Sequence, residues 1–256
     1  MIKWFWFLII LVSCKFSYSP YTADVSDIEL NAQNLKLILQ NESATPADFR
    51  VAVISDTHNY YNDLKRIVKE INKRGPYAFV IVTGDITNVG LVEEFKKTQD
   101  LLAELKYPVI VAAGNHDLIS NGQTIFDRLY GPDKLSFAFK NTQFIIFNNN
   151  NWEVSGNVPD VDWVERELTN SVQPNKLLFA HVPIDDDERF SATEVDRWRN
   201  IVNANGVNYF ICGHDHNHAV SDFGSAKQVV VGAASKRVYV ELVFSGGGVS
   251  HQLVNL

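Results

Sequence analysis

The stretch Arg50-Val51-Ala52-Val53-Ile54-Ser55-Asp56-Thr57-His58 sets the reading of the whole chain. An apolar run of strand length stops abruptly at an aspartate and a histidine two residues apart. Four further blocks repeat the form. Residues 78–83 lead to Gly84-Asp85 and residues 109–113 to Gly114-Asn115-His116-Asp117. Residues 177–180 then lead to His181, and residues 209–212 to Gly213-His214-Asp215-His216.

The residue types share a chemistry. Carboxylate, imidazole and amide oxygen are ligands that Mn, Fe and Zn accept. Two divalent cations roughly 3.5–4 Å apart can activate a water and stabilise charge on a phosphate, and an anionic ligand shared between them would hold them that close. Alternate residues of an extended segment point the same way, so Asp56 with His58, and His214 with His216, are expected to present pairs of side chains to one side of a strand end. The glycines before Asp85, Asn115 and His214 are expected to let the backbone turn sharply. A lone strand-end aspartate or histidine is more often a cap or a core residue. Here five of the seven histidines fall inside the ordered blocks, and that order favours one shared site.

At these residues the chain resembles the calcineurin-like metallophosphoesterase superfamily, from about Arg50 to the C-terminus. The resemblance implies that Asp56, His58 and His216 hold a first metal, that Asn115, His181 and His214 hold a second, and that Asp85 bridges them. It further implies that His116, not itself a ligand, protonates the leaving oxygen or stabilises the transition state, with Asp117 orienting it. Many members carry a second aspartate three residues after the one matching Asp85; Asn88 stands there in this chain.

The N-terminus carries a second message. Lys3 precedes nine apolar residues, 4–12, and then Ser13-Cys14. Nine residues span only about 14 Å as a helix, against roughly 30 Å of hydrocarbon, so the segment does not cross a membrane. It reads as an export signal. Leu11-Val12-Ser13-Cys14 resembles a bacterial lipobox, which implies a signal peptide over 1–13, a lipidated Cys14 and a protein tethered to the membrane of the cell envelope on its periplasmic or cell-surface side. Two or three acyl chains make such an anchor stable where one does not. Only Cys212 would then remain, which rules out an intramolecular disulfide.

A chain of 256 residues, 46% hydrophobic, suffices for a large core. Residues 14–48 are expected to form a tether and a surface-packing segment with one short helix over 30–39, and residues 49–256 a single catalytic domain. Strand-like runs at 51–54, 79–82 and 109–112 alternate with helical patterns at 62–74 and 91–105, the signature of βαβ units. Further strands are expected at 135–139, 144–148, 177–180, 209–212, 229–231 and 238–244, with helices at 161–171 and 193–205. The expected fold is α/β: a four-layer αββα sandwich of two mixed sheets flanked by helices, with the metal site on strand-end loops.

Net charge bears on the substrate. The chain stands at −7, and removal of residues 1–13 takes away one lysine and no acidic residue, giving −8. Asp185-Asp186-Asp187-Glu188 follows His181 by four residues, and acidic side chains over the site would repel polyanions. The expected activity is hydrolysis of a small phosphomonoester or phosphodiester by a hydroxide bridging two divalent metals, Mn, Fe or Zn, with nucleic acid disfavoured as a partner. A nuclease of the same superfamily and a non-catalytic lipoprotein that binds a phosphorylated ligand are the alternatives. Candidate recognition loops are 120–131, 148–159, 184–190 and 217–227; within the second, Asn149, Asn150, Asn151 and Trp152 either contact a leaving group or make a turn.

Overall fold

The computed structural model describes Ser19 and residues 22–156 and 158–256. In chain order the elements are α1 (Leu30–Gln40), β1 (Phe49–Ile54), α2 (Tyr61–Arg74), β2 (Phe79–Val82), α3 (Val92–Leu102), β3 (Val109–Val111), α4 (Asn115–Leu118) and α5 (Gly122–Tyr130). There follow β4 (Leu135–Phe139), β5 (Thr142–Ile146), α6 (Val161–Asn170), β6 (Asn175–Phe179), α7 (Ala192–Asn205), β7 (Tyr209–Cys212), β8 (Ala219–Phe223), β9 (Ala226–Val230), β10 (Val238–Ser245) and β11 (Gly248–Asn255).

One sheet runs β11-β10-β1-β2-β3 and the other β4-β5-β6-β7-β9-β8. The strands β1, β2 and β3 are parallel, and so are β5, β6, β7 and β9; β10 and β11 at one side, and the edge strands β4 and β8, pair antiparallel. Side-chain alternation explains the layering. Val51, Val53, Phe79 and Ile81 of the first sheet meet Phe144, Ile146, Phe179 and Ile211 of the second in one apolar layer. The opposite faces carry Ala52, Ile54, Val80 and Val82 under α2, α3 and α5, and Ile145, Leu178 and Phe210 under α6 and α7. The result is the expected four-layer sandwich. Phe144 stacks on Phe137 and meets Phe79 edge-on, each pair at 5.2 Å between ring centroids. Full burial of such a ring contributes roughly 1.5–3 kcal/mol.

Helix α1 closes the open edge of the first sheet. Asn31 gives its amide to Val111 O (2.8 Å) and accepts from Val111 N (2.9 Å), while Asn34 donates to Val109 O (2.8 Å). These amides satisfy edge groups of β3 that would otherwise be open to another strand.

Besides the single turn of α4, three elements depart from the expectation. Residues 120–131 are not a recognition loop, because α5 buries Ile125, Phe126, Leu129 and Tyr130. Glycines at both of its ends hid that helical pattern. Residues 217–227 contain most of the β8–β9 hairpin, and β8 is exposed at four of its five positions, so no apolar run announced it. Strand β11 alternates exposed with partly buried residues along an edge and was likewise not expected. No helix among the described residues is long and apolar enough to cross a membrane. The 1–13 segment and Cys14 lie outside the described residues.

Candidate metal centre

The five blocks follow β1, β2, β3, β6 and β7, whose parallel directions bring their C-terminal ends to one edge of the sandwich. Backbone bonds fasten them together: Asp56 N donates to Gly84 O (3.1 Å), His58 N to Asp85 O (2.9 Å) and Gly213 N to His181 O (2.9 Å). The pairs Asp56/His58 and His214/His216 are not arranged by strand alternation. Asp56 (φ 48°), His58 (φ 39°), Asp85 (φ 54°), His214 (φ 71°) and His216 (φ 60°) all adopt the left-handed conformation, rare for residues other than glycine. Strain of this kind concentrates at functional sites.

Glycine does two different jobs here. Gly84 (φ 95°) makes a left-handed turn as expected. Gly114 and Gly213 instead allow close approach: a Cβ on Gly114 would sit 2.1 Å from Asp85 N, and one on Gly213 1.9 Å from Ser55 Oγ and 2.4 Å from Asp56 Oδ2.

All seven expected ligands converge. Asp56, His58, Asp85 and His216 place one ligand atom each within 4.8 Å of one another. Asp85 Oδ2 lies 3.5 Å from His58 Nε2 and 3.2 Å from His181 Nε2, and His216 Nε2 lies 3.4 Å from Asp56 Oδ1. His214 turns the other way and brings Nδ1 to 3.1 Å from Asn115 Oδ1, with its ring 5.3 Å from that of His181. Asp85 therefore stands between two groups of potential donors.

Main-chain carbonyls orient the rings. Thr87 O holds His58 Nδ1 (2.9 Å), Thr83 O holds His181 Nδ1 (2.8 Å) and Asn88 O holds His116 Nδ1 (2.6 Å). Each bond leaves Nε2 for the site, since a backbone acceptor on Nδ1 fixes the tautomer of the ring. These carbonyls had no sequence signal, since every residue carries one whatever its side chain. Because Asn88 acts through its backbone, the lack of an aspartate there does not touch this contact.

Asp117 occupies a different place from the one expected. Its carboxylate accepts from Ile86 N (3.2 Å), Thr87 N (2.8 Å), Thr87 Oγ1 (2.9 Å) and Gly114 N (2.9 Å). The bond on the His116 ring comes from Asn88, because neighbouring residues of α4 project in different directions. Asp117 thus ties the Gly84-Asp85 turn to the Gly114 turn.

Burial and neighbouring charges displace the titration of the clustered groups. Burial opposes the charged form of Asp85, yet the imidazoles of His181, His58 and His116 hold its carboxyl below the usual range. Burial likewise opposes charge on His181, but Asp85 and Asp56 raise it. His214 is lowered to about 4 by burial, by His181 and by Arg189, and burial also lowers His58. Asp117 is pushed up to about 7 by burial and the charge of Asp85, against the pull of its donors. His181 Nε2 is buried without a hydrogen-bond partner, since Asp85 Oδ2 lies near it outside hydrogen-bond geometry. An orphaned imidazole nitrogen facing buried carboxylates fits a divalent ion.

The two remaining histidines and Cys212 lie outside the cluster. His218 bonds Val230 O (2.7 Å), His251 meets Tyr209 OH (3.1 Å), and Cys212 is fully buried. Of the acidic run, Asp186 reaches the site, 4.0 Å from His214 Nε2.

A family model described as calcineurin-like phosphoesterase matches residues 49–218. A probable cyclic nucleotide phosphodiesterase of Coxiella burnetii is 25% identical over 189 residues, which cover 66% of this chain and 76% of that protein. A glycerophosphodiester phosphodiesterase of Enterobacter lignolyticus is 25% identical over 185 residues, covering 62% of this chain and 64% of that protein. Among solved structures, a dimetal phosphatase from Danio rerio shares the fold with a TM-score of 0.65 at 15% identity, covering 81% of this chain and 97% of that one.

Proposed function

The chain belongs to the calcineurin-like phosphoesterase family and is a metallophosphoesterase, and from that premise we propose that it hydrolyses small phosphodiesters at the Asp85-centred site. The observation that carries the reading is the position of Asp85 Oδ2 between His58 and His181, with Asp56, His216, Asn115 and His214 completing two donor groups around it. Both curated relatives described above bear phosphodiesterase names, which supports a diester over a monoester. Asp56, His58 and His216 would hold one divalent cation and Asn115, His181 and His214 another, with Asp85 common to both. Bound there, the cations supply Lewis-acid charge to the phosphate oxygens and lower the pKa of water.

The chain's own part is positioning and proton transfer. His116 leaves Nε2 free beside the cluster, its ring 4.9 Å edge-on from that of His58 and its Nδ1 tied to Asn88 O. With Nδ1–H given to Asn88 O, Nε2 can give a proton to the departing oxygen only when the ring is charged, and in the neutral ring it is an acceptor. Asp186, 4.0 Å from His214 Nε2, adds negative charge where a polyanion would lie, which supports a small substrate over nucleic acid.

The test is reconstitution of purified protein with Mn, Zn or Fe, followed by assay on bis(p-nitrophenyl) phosphate, p-nitrophenyl phosphate and single-stranded DNA. Turnover of the aryl diester above the monoester is expected. Turnover of neither ester would sink the reading, and preferential cleavage of DNA at physiological salt would move it to a nuclease.

We also propose that Cys14 is lipidated after removal of 1–13 and tethers the enzyme to the cell envelope, on the support of Lys3, the apolar stretch 4–12 and Leu11-Val12-Ser13-Cys14. Metabolic labelling with a fatty acid should mark the wild type and not Cys14→Ala; equal labelling, or none, would remove the proposal.

A further inference from the structure

The segment after β5 is fastened by three successive asparagines, two to the blocks that carry the candidate ligands and one to the 184–190 loop. Asn149 Oδ1 accepts from His181 N (3.2 Å) and Val182 N (3.0 Å), and its amide donates to Val182 O (2.7 Å). Asn150 donates to Ala113 O (2.9 Å), two residues before Asn115, and Asn151 donates to Arg189 O (2.7 Å). The next residue, Trp152, is 61% exposed and is the one exposed aromatic ring among the described residues.

Its orientation is also fixed. The Arg189 guanidinium lies over the indole, 4.2 Å from the ring centroid. Glu153 grips Arg189 Nη1 through both carboxylate oxygens (2.8 and 3.0 Å), in a pair that is nearly buried. Arg189 N donates to Asp186 Oδ1 (2.9 Å), and Asp186 Oδ2 reaches to 4.0 Å from His214. A continuous wall therefore runs from His214 through Asp186 and Arg189 to an indole held in place with surface open to solvent. An indole has no need of this much fastening merely to sit at a surface, where leaving it exposed forgoes the gain of burying it.

Building on the phosphodiesterase reading, we propose that Trp152 is a specificity-determining residue whose open surface stacks against a flat, uncharged ring on the organic part of the ester, a nucleobase being the class that fits. Bases stack on aromatic side chains through the π-face that all of them share. Asp186, between His214 and Arg189 along this wall, disfavours a further phosphate there, so a nucleoside carrying a single phosphate suits the wall better than a polyphosphate.

The test compares two diesters on metal-loaded protein: adenosine 3′,5′-cyclic monophosphate, and glycerophosphoethanolamine, which has no ring. Trp152→Ala should reduce the preference for the ring-bearing diester, as the ratio of kcat/KM, by roughly 5- to 100-fold through KM, and Trp152→Phe should restore most of it. A second readout needs no turnover. Adenosine 5′-monophosphate, but not ribose 5-phosphate, should quench tryptophan fluorescence saturably in the wild type and not in Trp152→Phe. An unchanged preference in both variants would overturn the inference while leaving the enzyme assignment intact. If the wild type hydrolyses fewer than both diesters, the fluorescence titration decides: loss of quenching in Trp152→Phe supports the ring site, and its absence from the wild type or persistence in the variant overturns it.

Discussion

The main-chain N–H of His116 donates to Asp85 Oδ1 at 2.9 Å. One oxygen of the shared carboxylate is thereby committed to the backbone that carries His116, while the other faces His58 and His181. The hydrogen bond between the two residues runs through the backbone and not through the imidazole, so the two side chains can be tested separately by substitution. Asp85→Ala should lose metal, measured by elemental analysis, together with turnover. His116→Ala should keep its metal and lose turnover by about a hundred- to ten-thousandfold. Equal loss of metal in both variants would mean that His116 is a ligand.

The close approaches at Gly114 and Gly213 give a second prediction. Gly114 has an ordinary φ of −100°, so alanine there is strained only by contact, and its methyl would meet the main chain and carboxylate of Asp85 at 2.1 and 2.2 Å. Neither group is the free end of a flexible side chain. Overpacking of this kind costs roughly 1–3 kcal/mol. For a domain of this size Gly114→Ala should lower Tm by about 2–4 °C for each kcal/mol, and metal content should fall with it. Gly213→Ala, pressing on Ser55 and Asp56, should do the same. Wild-type melting and metal content in both variants would show that the turns can move apart.

Asp117 is placed to join two loops, and its substitution should show this. Asp117→Asn turns an amide N–H₂ toward backbone N–H groups that now find a carboxylate oxygen, leaving at least one buried donor without an acceptor. The cost is about 1–3 kcal/mol. Thermal melting of the metal-free protein should therefore report a loss alongside the fall in kcat. A fall in kcat at unchanged Tm would restore the role of orienting His116.

The seven side chains that converge were readable in the sequence as candidate ligands because metal chemistry constrains residue type at five strand ends, and those ends are marked by runs such as 51–54 and 209–212. The parallel strands were readable for the same reason, since burial on both faces leaves little but apolar residues. What escaped lacked a side-chain signal. The carbonyls of Thr83, Thr87 and Asn88 that aim the histidines belong to backbone positions, and the exposed strand β8 has no apolar face to show. The three asparagines at 149–151 were legible as turn chemistry. That they bond Val182, Ala113 and Arg189 depends on contacts distant in sequence. Left-handed backbone at Asp56, His58, His214 and His216 replaced the strand alternation expected there, because the ligands lie past the last ladder bonds.

Stability should depend on pH through a group remote from the metals. Glu241 is fully buried on β10 and accepts from Arg50 Nη1 (2.8 Å), Tyr77 OH (2.7 Å) and Gln252, while Tyr77 OH also meets Tyr239 OH at 3.0 Å. Arg50 is the second residue of β1, toward the end of the strand opposite Asp56. Burial opposes the charge of Glu241, but Tyr77, Gln252, Arg50 and Arg74 together hold its carboxyl below the ordinary range. A depressed folded pKa contributes stability that is present above the unfolded value of about 4.3 and is lost as pH falls through the folded pKa. Tyr77 shifts the other way: burial, then its bonds to Tyr239 and Glu241, push the phenol far above its usual value. That contribution is complete below about pH 10 and is lost as pH rises beyond it. Urea midpoints measured across pH on metal-free protein should form a plateau with an acid limb and an alkaline limb. Glu241→Gln should be less stable than wild type at neutral pH, because Arg50 and Arg74 lose their countercharge, and should show a shallower acid limb. Tyr77→Phe should flatten the alkaline limb, and wild-type slopes in both variants would place the pH sensitivity elsewhere.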